Sequence, residues 1–132
     1  MLNNANKKQN KYFGKIGEDI ACDFLKKNNF SIIARNYQRK WGELDIVGFK
    51  DGAIHFFEVK STTFNMRNVS DIHRPEENVH GLKVKHIRRM VETYLNENKI
   101  SDEIRFYFHV LAIHIDSDNR AGNINWIQDI IL

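Results

Sequence analysis

The sequence predicts an α/β protein in which helices flank a mixed five-stranded sheet, with the element order α-β-β-β-α-β-β. Two segments carry apolar residues at helical spacing, and five short segments are rich in β-branched and aromatic residues. The length of 132 residues suits one domain with one core. An aromatic content of 11% is typical of a folded chain and excludes a disordered one.

The first helix is predicted to begin at Gly14 and to end near Asn28, where the Asn pair favours a left-handed cap. Residues 1–12 are polar and rich in Asn and Lys, so we expect a basic mobile arm before a single domain that spans 13–132. Glu18 lies on the edge of the helix's apolar stripe. Its carboxylate is therefore expected either to reach solvent or to meet a partner.

The remaining elements follow from alternation, from turn residues and from a second helical pattern. Val, Ile and Phe dominate the predicted strands, and polar residues fill the intervening segments. In chain order, we predict strands at 30–34, 43–49 and 53–60, a loop from 61 to about 78, a helix over 79–98, and strands at 104–116 and 123–130.

A hairpin joins the second and third predicted strands. Its Asp-Gly pair at 51–52 favours a two-residue type I′ turn. In that register the numbers of opposed residues sum to 103, so Asp45 faces Glu58 and Glu43 faces Lys60. Directly opposed residues have Cβ atoms about 4.5–5.5 Å apart. The hairpin is therefore predicted to bring two carboxylates together.

Two opposed carboxylates repel each other and destabilise a sheet unless positive charge lies between them. A divalent cation with oxygen ligands meets that need, and Lys60 supplies a second positive group. The alternative is an ordinary solvent-facing surface on which Glu43 and Lys60 form an ion pair. Ile54 and Phe56 alternate onto the face of Glu58, which predicts that this face is largely covered and favours the cation.

Charge is distributed unevenly although the net charge is only +3. Residues 1–17 carry +4 and residues 61–99 carry +2, whereas residues 100–132 carry −3. Such clustering fits either a polyanion footprint or an ordinary solvated face.

The remaining composition limits the class of protein. The chain contains no apolar run of about 18 residues, so no membrane span is expected. Cys22 is the only cysteine, which excludes an internal disulfide and favours a reducing, cytoplasmic location. A zinc enzyme is disfavoured because His109 and His114 point to opposite faces of one predicted strand, and His55 faces away from Glu58.

The pattern Asp45-x12-Glu58-Val59-Lys60, with Glu18 on the preceding helix, resembles the PD-(D/E)xK nuclease superfamily. Within it, the sequence is most similar to the small YraN-like bacterial proteins and more distantly to the archaeal Holliday junction resolvases. The similarity extends over about residues 12–130. The segments that carry it, in order, are 17–21, 34–37, 42–45, 57–60, the basic helix near 79–87 and the closing strand at 125–129.

This resemblance implies a restriction endonuclease-like fold and hydrolysis of phosphodiester bonds with Mg²⁺, or alternatively Mn²⁺. Asp45 and Glu58 would be metal ligands, together with the Val59 carbonyl. Lys60 would hold the attacking water and stabilise charge on the phosphoryl oxygens. Glu18 would position water or complete a second metal site.

The resemblance also implies DNA as the partner, in repair or recombination, and a homodimer. Because no recognition helix is evident, structure-selective or non-specific binding is expected. The alternative is a catalytically silent nucleic-acid-binding or scaffold protein with the same fold. Arg35 and Asn36 either support the site or cap a turn. The candidate phosphate contacts are Lys7, Lys8, Lys11, Lys15, Lys83, Lys85, Arg88 and Arg89.

Overall fold

A computed structural model describes residues 4–63, 83–116, 118 and 121–132. The predicted element order α-β-β-β-α-β-β is confirmed. The elements are helix α1 (Asn4–Lys27), strands β1 (Ser31–Arg39), β2 (Gly42–Lys50) and β3 (Ala53–Thr63), helix α2 (Val84–Glu97), and strands β4 (Phe106–Ile115) and β5 (Ala121–Ile127).

Several boundaries differ from those predicted. Helix α1 begins at Asn4 rather than Gly14, so it includes most of the segment that the sequence assigned to an arm. The Lys and Gln residues there are good helix formers, and adding turns to an existing helix costs little. Strand β3 continues to Thr63, beyond its predicted end, because it pairs with β4 along its whole length after Ala53. The predicted start of the second helix at residue 79 lies outside the described residues.

The five strands form one sheet in the order β1-β2-β3-β4-β5. Strands β3 and β4 are parallel, and the other neighbouring pairs are antiparallel. The predicted mixed sheet is therefore confirmed. Asp51 and Gly52 have φ angles of 51° and 77°, as a type I′ turn requires.

Among the described residues, each face of the sheet carries one helix and one apolar core. Phe57 of β3 packs on the α1 side, where Leu25 is fully buried. The neighbouring Phe56 points the other way and packs against α2 through Val91 and Tyr94. Because successive strand residues alternate between faces, β3 is anchored from both sides immediately before Glu58.

Within the described residues, neither helix is both long enough and apolar enough to cross a membrane.

Candidate active site at the fork of the sheet

Strands β2 and β3 pair from Lys50↔Ala53 as far as Ile46↔Phe57, and the ladder then ends. Beyond that point β2 stays with β1, whereas β3 stays with β4. The sheet consequently divides into two branches, and we call the gap between them the fork. Asp45 is the first residue of β2 in the fork, and Glu58 is the first residue of β3.

The predicted register of this hairpin is confirmed over all five observed pairs, which sum to 103. The predicted pairing of Glu43 with Lys60 is wrong, because the strands have separated before reaching them. Instead, Glu43 accepts a hydrogen bond from Gln38 at 3.3 Å. Beyond Ile46 and Phe57, β2 remains paired with β1 and β3 remains paired with β4, so the register set by the turn no longer applies.

Asp45 lies at an interruption on its other side as well. The β1–β2 ladder passes from Arg35↔Ile46 to Tyr37↔Leu44, without a pair between Asn36 and Asp45. Asn36 has a φ of 52°, which resets the alternation of β1. Asp45 is thus released from the ladders on both sides, and its carboxylate accepts the Val59 N–H at 2.8 Å.

The Asp45 and Glu58 carboxyls lie close enough together that each affects the pKa of the other. Asp45 is only 6% exposed. Burial raises its pKa to about 7, and the charge of Glu58 adds to the increase. Burial also raises the pKa of Glu58, against the effect of the nearby Lys60 ammonium. The pair therefore shares a proton near neutral pH unless a cation takes its place.

Lys60 provides positive charge in the fork. Its Nζ lies 3.5 Å from Oε1 of Glu58, and its side chain is 34% exposed. It therefore contacts the Glu58 carboxylate and remains partly accessible to a ligand.

Glu18 reaches the fork from α1. Burial raises its pKa, and the charge of Asp45 raises it further, so the two carboxyls interact electrostatically. The Asn36 side chain and the Arg35 guanidinium each lower the pKa of Glu18 in opposition to these effects, and Nη2 of Arg35 lies 3.8 Å from Oε2 of Glu18. Arg35 also donates to Asp19 at 2.8 Å. Of the two predicted roles for Arg35 and Asn36, these contacts favour support of the site.

Gly17 allows α1 to approach β3 this closely. A Cβ at this position would lie 1.9 Å from Oγ of Ser61, which is far inside contact distance. The sequence showed Gly17 beside Glu18 but gave no signal for this contact, because it depends on the packing of a helix against a distant strand.

The candidate phosphate contacts lie in different places. Lys83, Lys85, Arg88 and Arg89 are exposed at the start of α2, and Lys15 is exposed on α1. Arg88 donates to the Leu132 carbonyl oxygen, whereas Arg89 lies over the ring of Trp41. The side chains of Lys7, Lys8 and Lys11 lie outside the described part of the structure.

A histidine pair lies elsewhere, and the sequence did not predict it. Nδ1 of His55 and Nε2 of His109 are 2.9 Å apart, and Nδ1 of His109 accepts the Asp129 N–H at 3.1 Å. Both ring nitrogens of His109 are therefore engaged. In the described ranges, no group of three or more His, Cys, Asp or Glu side chains is arranged around a common metal position. Cys22 is buried, and burial raises its pKa.

Comparison with known proteins identifies the family of the chain. Residues 17–113 match the group described as "Uncharacterised protein family UPF0102". The chain belongs to this family. The resemblance to the YraN-like proteins, which are the UPF0102 proteins, is thereby confirmed. The matched range includes Glu18, Asp45, Glu58 and Lys60.

Several UPF0102 proteins are similar over nearly their whole length. One from Campylobacter lari is 35% identical over 114 residues, which are 86% of this chain and 94% of the relative. One from Caldicellulosiruptor bescii is 34% identical, with coverage of 90% and 96%. One from Clostridium botulinum is 32% identical, with coverage of 93% and 96%. These names state no activity, so the function is inferred from the fork.

Proposed function

We propose that this UPF0102 protein is a Mg²⁺-dependent nuclease that hydrolyses phosphodiester bonds of DNA at the fork. The observation that supports the proposal is the pair of interacting carboxyls, the buried Asp45 and the half-buried Glu58, beside the ammonium of Lys60. A structural ion pair usually joins one positive and one negative side chain. This pair instead places two acids together, which favours a ligand of positive charge.

The donor set fits a hard divalent cation. Asp45 and Glu58 present oxygen atoms, and the Val59 carbonyl is a further oxygen close in sequence. The raised pKa of Asp45 is what two carboxyls without a bound cation are expected to show. Mg²⁺ or Mn²⁺, when bound, would lower the pKa of a water and polarise the phosphoryl group.

The side chains of the fork would contribute positioning and charge. Lys60, which is partly exposed, would hold the attacking water and neutralise charge that develops on the phosphoryl oxygens. Glu18 would orient water, because it interacts with Asp45 and is held in place by Asn36 and Arg35. Asp45 is fixed by the Val59 N–H and would keep its orientation through the reaction.

The test is cleavage of fluorescent single-stranded, duplex and branched DNA in 5–10 mM Mg²⁺ or Mn²⁺, concentrations on the order of those at which weak divalent sites fill. Asp45→Asn and Lys60→Ala are each expected to lower the cleavage rate by at least about 100-fold. Asp102→Asn and Lys26→Ala alter exposed residues of the same types and serve as matched controls. Wild-type protein that binds DNA without cutting it would instead support the catalytically silent alternative.

The wider role belongs to the same proposal. DNA as partner, a place in repair or recombination and a homodimer follow from the superfamily resemblance, and a cytoplasmic location is expected from the single cysteine. Binding without sequence preference is expected because the exposed basic side chains of α2 suit contacts with DNA phosphates.

A further inference from the structure

The turn between β1 and β2 lies on the branch of the fork that carries Asp45. We call its residues 39–42 the hairpin tip. Trp41 is 38% exposed there, which is unusual for so large an apolar side chain. The function proposed above assigns it no role.

The Trp41 ring is held in one orientation. Its Nε1–H donates to Oγ1 of Thr93 at 3.0 Å, and the Thr93 hydroxyl donates to the Arg89 carbonyl at 2.7 Å. The guanidinium of Arg89 lies over the ring, 4.8 Å from its centroid. A ring fixed in this way loses little conformational entropy when a ligand stacks on it.

The hairpin tip is also positively charged. Lys40 and Arg89 are exposed around Trp41, whereas the charge of Arg39 is offset by Glu97. The nearby Glu97 is already engaged, because Arg39 pairs with it and the Tyr37 hydroxyl donates to it at 2.5 Å. A fixed aromatic ring among exposed cations is the combination that binds single-stranded nucleic acid, in which bases stack and phosphates are neutralised.

The distance to the fork suits one continuous strand. Trp41 precedes Asp45 by four residues, which is about 13 Å along a β-strand at roughly 3.3 Å per residue. Nucleotides rise about 3.4 Å each when stacked as in a duplex and more when the strand is extended, so this span corresponds to at most about four nucleotides. A strand with its phosphodiester in the fork would therefore have a base near the hairpin tip.

We propose that Trp41 stacks on an unpaired base of the nucleic-acid substrate a few nucleotides from the bond in the fork. This inference rests on the proposed function and narrows its substrate class to strands that are single or locally unpaired. Unpaired bases are required, because a base inside a duplex already has both faces stacked. Thr93 acts as a positioning residue for the ring.

The test measures binding of a fluorescein-labelled single-stranded DNA and of a blunt duplex of equal length, in EDTA to prevent cleavage. Trp41→Ala is expected to weaken single-strand binding by about 5- to 100-fold and duplex binding by less than about 3-fold. Trp41→Phe should retain most of the single-strand affinity because it keeps a ring. Phe49→Ala is the matched control, since Phe49 is 40% exposed at the opposite end of β2. It should change neither affinity.

A second measurement uses 2-aminopurine placed at successive positions of the single strand. Wild type should quench this base at one or two positions, and Trp41→Ala should abolish the quenching. An equal loss of single-strand and duplex affinity in Trp41→Ala, or unchanged quenching, would overturn the proposal. Cleavage by wild type and Asp45→Asn reports separately on the proposed function. Selective binding without cleavage would retain the role of Trp41 and refute the nuclease.

Discussion

Asp45→Asn is predicted to stabilise the fold while it abolishes the activity. A pKa of about 7 in the folded protein, against an ordinary 3.8, means that the folded state binds the proton more tightly than the unfolded state. Stability therefore falls as pH rises from about 4 to about 7, and the full cost is present above that range. At 1.36 kcal/mol per pKa unit, the difference corresponds to about 4 kcal/mol at pH 8.

Asparagine removes the charge and keeps an oxygen that can accept the Val59 N–H. We expect Asp45→Asn to raise the free energy of unfolding by about 2–4 kcal/mol at pH 8, and by less than about 1 kcal/mol at pH 4. Urea titrations in EDTA, followed by circular dichroism at both pH values, measure the difference. Asp102→Asn, which alters an exposed acid, should stay within about 0.5 kcal/mol of wild type.

Mg²⁺ provides the complementary measurement. If the fork binds the ion with a dissociation constant of about 1 mM, then 10 mM Mg²⁺ should stabilise wild type by about 1.4 kcal/mol and leave Asp45→Asn nearly unchanged. The reasoning is refuted if Asp45→Asn is no more stable than wild type at pH 8 in EDTA. Equal stabilisation of both proteins by Mg²⁺ would show that the ion binds elsewhere.

Two further predictions concern the supporting structure. Burial lowers the pKa of His109 to about 4, so its contribution to stability is complete above about pH 6.5 and is lost as pH falls towards 4. Because the contribution of Asp45 changes in the opposite direction over this range, the test compares two proteins: the free energy of unfolding of wild type relative to His109→Asn should fall by about 2 kcal/mol between pH 7.5 and 5 in urea titrations. Gly17→Ala should destabilise the protein by about 1–3 kcal/mol because its Cβ meets Ser61. Adding Ser61→Ala should recover part of that loss, and a double-mutant cycle that shows simple additivity would contradict the contact.

Local sequence signals predicted the hairpin and its register. The Asp-Gly pair determines the turn, and both residues have the positive φ that this turn needs. Alternation placed Phe56 and Phe57 on opposite faces, and both are fully buried. Each of these features depends on residues only a few positions apart, which is why the sequence is sufficient to predict them.

The fork could not be predicted in the same way. It forms because β2 follows β1 and β3 follows the parallel strand β4, which comes 43 residues after the end of β3. The His55–His109 pair depends on the same parallel pairing. Trp41 gave only the signal of an aromatic residue beside Lys40, and its hydrogen bond to Thr93 depends on how α2 packs. All three features therefore depend on contacts between residues that lie far apart in the sequence.

The fold prevents the two carboxyls from separating. Phe56 and Phe57 fix β3 in both cores, and Glu58 is paired with Val110 of β4. Asp45 is held by its hydrogen bond from the Val59 N–H. Moving the two carboxylates apart to reduce their repulsion would therefore break either a strand ladder or that hydrogen bond. The interacting groups are five carboxyls and two cations, namely Glu18, Asp19, Glu43, Asp45, Glu58, Arg35 and Lys60. With every carboxyl ionised, three negative charges remain, and one divalent cation offsets two of them without moving either strand.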